Sequence, residues 1–253
     1  MGKPAQMKQA AWDYLTKFTD HHEAIVLHMY NNRASLKARQ DVTCGVGFLL
    51  TSADAAIADY KSLFYDPVAN RPATDAQIRA DWQAAADLLR TGWPKSNLES
   101  TPDGKGYADV CKLRMYRDKV IARRNDLLAS KLETALRQVP ELGQFSEYPA
   151  QAQVAIASFC YGFSPKGSPN FYMDLFHWDF DGAGKESALA GLSAQKLLDH
   201  RILFWNAARI CEQKLDDDLL PLSAQKPEQL PWKPWTNVYG VTVDRAPIQP
   251  SAK

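Results

Sequence analysis

Glu23, Asn32, Asp41 and Thr43 fall within one stretch, residues 21–51, HHEAIVLHMYNNRASLKARQDVTCGVGFLLT. An acid beside a second carboxylate can cleave a glycosidic bond. One carboxylic acid protonates the leaving oxygen, and a carboxylate roughly 6.5–9.5 Å away activates water on the other face of the sugar. Glu23 is the candidate acid, Asp41 the candidate base, and the Thr43 hydroxyl the candidate holder of the water. Asn32 has no titratable oxygen, so its amide can only hydrogen-bond the water or an N-acetyl group. Tyr30 joins Asn32 as a candidate substrate-binding residue. Two plainer readings stay open: Glu23 as an exposed helix-end residue, and Asp41 as a solvated turn carboxylate.

Such a site needs a rigid element for the acid and a second one across the substrate. A first helix is expected from about Ala5 to His22, with Ala11, Trp12, Leu15 and Phe18 on one stripe. Ile25–Tyr30 and Asp41–Phe48 read as two strands of a hairpin, whose alternation puts Asp41, Thr43 and Gly45 on one face. A helix capped by Ser52 follows and stops at Asp66-Pro67; Thr74 to Gln77 is a capping box opening another, which runs to Arg90. Residues 96–106 read as a loop, and Tyr107 to Val139 as one long helix. Its Arg114, Arg117, Lys119, Arg123 and Arg124 read as a solvated face, or as one wall of a cleft for an anionic glycan. Residues 150–162 are apolar nearly all round and predict a buried central helix. Short helices are expected at Phe171–Trp178 and Lys185–Gly191, with a turn at Asp181-Gly182 between them, then a last helix from Ser193 to Leu215. The fold class is therefore mainly α (α+β), a helical lobe with a small antiparallel β-hairpin flanking a cleft. Residues 1–218 form the expected catalytic domain, with its β-containing lobe at about 23–50. Residues 219–253 form a Pro-rich tail carrying Trp232, Trp235 and Tyr239, aromatics that either pack on the body or stack on sugars.

With 45% hydrophobic and 23% charged residues, the composition is that of a globular protein and excludes a disordered chain. A formal net charge of +1 gives no electrostatic case for nucleic acid as a partner. No apolar run approaches the ~20 residues of a membrane span, and the N-terminus lacks the hydrophobic core of a signal peptide. An enzyme acting outside the cytoplasm would then be exported by another route, or the chain is a fragment of a larger protein. Cys44, Cys111, Cys160 and Cys211 form no CxxC pair, so neither a metal nor another cofactor is expected. Cys160 and Cys211 are expected to be buried thiols, and Cys44 a small hairpin residue.

Glu23, the strand after it, and Thr43-Cys44-Gly45-Val46-Gly47 in that order resemble the start of the bacteriophage-type lysozymes (endolysins). In that family an Asp stands nine positions after the Glu and a His follows the glycine run; here those places hold Asn32 and Phe48. The chain also resembles the bacterial chitosanases, which share the lysozyme-like core and carry the second carboxylate on the hairpin just before a Thr, as Asp41 stands before Thr43. The resemblance implies a lysozyme-like fold and a muramidase that cuts the glycan strand of peptidoglycan in the periplasm or cell wall, as an endolysin or antibacterial effector. It implies that Arg201, early in the last helix, pairs with the acid; a surface arginine is the alternative. An immunity protein or a secretion machinery would be the partners of an effector. A chitosanase-like hydrolase, a lytic transglycosylase using Glu23 alone, and a lysozyme-fold binding protein without catalysis are the competing readings.

Overall fold

The computed structural model describes residues 3–23, 25–31, 42–90, 106–163, 167–187, 194–214, 235–236 and 242–243. The described chain is mainly helical with small antiparallel sheets. It divides into two compact units, one made of Met1–Thr19 and Asn125–Lys253, the other of Asp20–Arg124.

Helix α1 spans Gln9–His22, four residues shorter at its start than the sequence predicts. Ala11, Leu15 and Phe18 are buried along it at the expected spacing, with Trp12 partly covered. In the second unit, β1 (Val26–Asn31), β2 (Val42–Gly45) and β3 (Phe48–Leu50) form a three-stranded antiparallel sheet in that order. The expected second strand, Asp41–Phe48, thus splits: Val46 and Gly47 turn the chain, and Phe48 begins a third strand. Gly45 (φ +62) and Gly47 (φ +73) adopt the left-handed conformation that lets so short a connection close. A Cβ on Gly45 would lie 2.6 Å from Cδ2 of buried Phe48, so the ring can pack there only because position 45 lacks a side chain.

Helix α2 (Ala53–Tyr60) starts where Ser52 predicts, the hydroxyl accepting from Ala55 N at 3.0 Å. It ends earlier than expected, and β4 (Phe64–Asp66) and β5 (Arg71–Pro72) make a hairpin instead of more helix. Asp66 accepts from Val68 N and Ala69 N, so its carboxylate builds the turn that begins at Pro67 rather than stopping a helix as expected. Helix α3 (Asp75–Arg90) opens on the predicted capping box, Gln77 N donating to the Thr74 hydroxyl and Thr74 N to Gln77 Oε1.

The predicted single helix from Tyr107 to Val139 is corrected. Helix α4 is only Tyr107–Val110, the chain then extends through β6 (Arg114–Met115), and α5 runs Arg117–Gln138. Cys111, Leu113 and Met115 are buried while Lys112 is exposed, the alternation of a strand rather than of a helix. β6 pairs with β4, completing a second three-stranded sheet in the order β5-β4-β6. Asp81 of α3 fixes the break by accepting from the backbone N–H groups of Lys112 (2.9 Å) and Leu113 (2.7 Å).

The first unit contains the contiguous apolar core. Helix α6 (Ala150–Gly162) is its axis, with every residue from Ala150 to Cys160 buried, as its composition predicts. Helices α7 (Pro169–Phe176), α8 (Phe180–Glu186) and α9 (Ala194–Gln213) belong to the same unit. The expected turn at Asp181-Gly182 lies inside α8, because Asp179 caps that helix by accepting from Gly182 N; the expected helix Lys185–Gly191 therefore begins earlier and is helical only to Glu186 within the described residues. Cys160 is buried, but Cys211 is partly exposed and not the fully buried thiol expected. In the tail, β7 (Trp235–Thr236) and β8 (Thr242–Val243) pair; Trp232 and Tyr239 lie outside the described residues.

No helix among the described residues is long and apolar enough to cross a membrane.

Candidate functional site

Glu23 follows the last residue of α1 directly, and β1 begins three residues later at Val26. Its side chain is partly exposed and reaches the β2–β3 turn. A Cβ on Gly47 would lie 3.7 Å from Glu23 Oε2. Gly47 is itself exposed, so no side chain from this position covers the carboxylate.

Tyr30 and Thr43 are direct partners across β1 and β2, so their side chains share one face of the sheet. Both are buried, at 7% and 4% exposure. Burial holds the Tyr30 hydroxyl well above the usual phenol range, and the neighbouring Cys44 thiol and Glu23 carboxylate push in the same direction. Glu23, Tyr30 and the glycine turn are therefore one neighbourhood, with Thr43 beside Tyr30 in the sheet. The register of β1 against β2 shifts between Val26 and Tyr30, a bulge that turns the strand locally next to Glu23.

Cys44 is fully buried, and burial raises its thiol far above the range of a reactive thiolate. It is the small apolar hairpin residue that the sequence predicts. Phe48, standing where the endolysins have His, stacks on Tyr60 with ring centroids 5.2 Å apart. That ring closes the far side of the turn with apolar surface and contributes no titratable group.

Asn32 and Asp41 lie outside the described residues, as does the connection between them. Arg201 is half-buried on α9, in the first unit, whereas Glu23 belongs to the second. Among the described residues no group of three or more His, Cys, Asp or Glu side chains has the arrangement of a metal site. Two concavities in the first unit, of about 290 Å³ beside Pro4 and Arg137 and about 610 Å³ beside Val139 and Tyr172, contain none of the expected site residues.

The basic residues of α5 do not behave as one solvated face. Arg124 is 1% exposed and ion-paired with Asp20 of α1. Arg123 lies over the Tyr60 ring, 5.5 Å from its centroid, and Lys119 donates to Ser62 O. The sequence assigns Asp20 no role and Arg124 only a place on a solvated face or cleft wall, although a signal for its burial existed. Val120, Arg124, Leu128 and Leu132 recur every four residues, which places Arg124 in the apolar stripe of its helix.

No protein-family model, no curated protein and no solved structure matches this chain.

Proposed function

We propose that the chain is a glycoside hydrolase that cuts the glycan strand of peptidoglycan, with Glu23 as the general acid. The observation that carries this reading is the partly exposed Glu23 carboxylate just beyond a helix end, beside Gly47 of the glycine turn, where a Cβ would lie 3.7 Å from its Oε2. A position without a side chain beside the acid suits the approach of a sugar ring, and a proton donor must reach the glycosidic oxygen at hydrogen-bond distance. The Thr-x-Gly-x-Gly order, Thr43 to Gly47, supports the assignment from the sequence side. Asp41 is the proposed base, and Asn32 the proposed hydrogen-bonding group for the water or the N-acetyl. Peptidoglycan as substrate places the site of action in the periplasm or cell wall, and an immunity protein or secretion machinery would be its partners there.

Glu23→Gln keeps the shape and removes the proton. Clearing of purified peptidoglycan should slow by about 10²–10⁴-fold, the contribution of a positioned general acid. Mass spectrometry of the digested glycan separates the competing chemistries. Reducing muramic ends identify hydrolysis, anhydro ends a lytic transglycosylase, and intact glycan a binding protein. Cleavage of chitosan but not of peptidoglycan would replace the substrate while keeping the acid. Asp41→Asn should abolish hydrolysis nearly as fully as Glu23→Gln, whereas Asn32→Ala should cost less. A Glu23→Gln protein that clears at the wild-type rate sinks the assignment.

A further inference from the structure

Asp20 and Arg124 are the first and last residues of the second unit, and an ion pair joins them. The two ends of this pair differ in environment. The Arg124 side chain is 2% exposed, and that of Asp20 is 45% exposed. An ion pair between two exposed side chains contributes little, but a buried guanidinium that loses its acid is left with an uncompensated charge. Asp20 also stands in the last turn of α1, where the carbonyl end of the helix dipole disfavours an acid. Helix propensity and dipole therefore do not account for a carboxylate here; the Arg124 cation offsets both the carboxylate and the helix end. In the preceding position, the buried Thr19 hydroxyl donates to Leu15 O at 2.8 Å, so the end of α1 is held by side chains on successive residues. Glu23 follows Asp20 by three residues, just beyond the helix.

We propose that Arg124, acting through Asp20, is a positioning residue for Glu23: it fixes the end of α1 and thereby the place where the carboxyl group stands. This rests on the assignment of Glu23 as the acid. Arg124 touches neither substrate nor reacting atoms in this role. Loosening the helix end leaves Glu23 chemically intact but displaced, and displacement of a catalytic group by about 1 Å can cost on the order of a hundredfold in rate.

The test uses the full chain with three variants, Asp20→Asn, Arg124→Lys and the double variant, beside Glu23→Gln as reference. Asp20→Asn alters a half-exposed side chain and keeps an amide oxygen that can accept from Arg124, and thermal unfolding reads how far the loss of its charge destabilises the fold. Steady-state kinetics on soluble glycan fragments, thermal unfolding, and amide hydrogen exchange at residues 20–23 are read together. The expected result for Asp20→Asn is a kcat about ten- to a hundredfold lower, with KM within about twofold and faster exchange at residues 20–23. The double variant should be little worse than Asp20→Asn alone, because without the carboxylate neither a guanidinium nor an ammonium at position 124 has this ion pair to make. A kcat unchanged in Asp20→Asn while Glu23→Gln is dead overturns the positioning role and leaves the assignment of the acid standing. A raised KM with unchanged kcat also overturns it, making the pair part of a binding wall. Activity lost only in proportion to unfolding, and regained on cooling, makes the pair structural and overturns it too. Full activity in Glu23→Gln removes the acid and the positioning role together, whatever the exchange rates show.

Discussion

The two units are held together by different means. In the first, one contiguous cluster of buried apolar side chains runs through α1, α5, α6, α7, α8 and α9, and rings fill its centre. Phe159 stacks on Phe171 at 4.1 Å, and Phe171 meets Phe204 edge-on at 5.8 Å. The second unit buries its own apolar side chains outside that cluster, Phe48, Phe64 and Met115 among them, and single polar groups also pin its short elements. Asp81 holds the start of β6, the Trp82 indole N–H donates to Leu50 O, the Cys111 thiol donates to Met29 O, and Arg124 holds Asp20. A large core tolerates small losses because many contacts share them. Two sheets of very short strands have less surface to bury, so each directional bond decides more. The candidate acid stands in the pinned unit, where position is specified bond by bond.

Five substitutions sharpen or break this contrast, beginning with the largest expected effect. Phe159→Ala opens a cavity beside the rings of Phe163, Phe171 and Tyr172 and should cost about 3–5 kcal/mol by urea denaturation. Gly45→Ala should cost about 2–4 kcal/mol, since its methyl meets Phe48 and its left-handed backbone adds strain. Gly47→Ala carries only the backbone strain, about 1–2 kcal/mol, because its nearest neighbour is Glu23 Oε2 at 3.7 Å; it should lower clearing activity more than stability. Equal costs at the two glycines would mean that the Phe48 ring can move, contrary to a rigid turn.

Asp81→Ala strands two backbone N–H groups and should cost about 1–3 kcal/mol. A value near zero would show that β6 is held by its apolar residues alone, and the contrast between the units would weaken.

The smallest effect has the opposite sign and belongs to the first unit. Burial, then Asp179 and Glu186, push the Asp174 carboxyl up to about 6. Asp179 is already committed as the cap of α8, and a Cβ on Gly182 would lie within 3 Å of both carboxylates, at 2.7 and 2.9 Å. The folded state therefore binds the Asp174 proton more tightly than the unfolded chain. Stability from this group is greatest below its ordinary value of 3.8 and falls as pH rises toward about 6. Above that the whole penalty remains. Asp174→Asn should stabilise by about 1–2 kcal/mol at pH 7, after allowance for solvent screening, and by nothing near pH 3. Denaturation midpoints of both proteins at the two pH values measure this; an equal gain at both would refute the titration.

Residue pattern alone determined where most helices lie and which faces they bury. Ser52, the Thr74–Gln77 box and the apolar run from Ala150 act within one or two turns of chain, so their consequences are local and legible. The same holds for Glu23 at the end of α1, whereas the glycine turn after Thr43 reads as continuous strand until the structure splits it. Tertiary structure decided what depends on a partner far along the chain. Residues 111–116 are compatible with helix until β4, some fifty residues earlier, offers backbone groups to β6 and Asp81 takes two of the N–H groups that a helix would use. Arg124 reads as one more surface cation until Asp20, 104 positions away, supplies the opposite charge that makes its burial affordable. In each case the sequence fixes the polarity and shape of a side chain, but backbone N–H groups and buried charges must find partners, and which partner is within reach is settled only when distant segments pack.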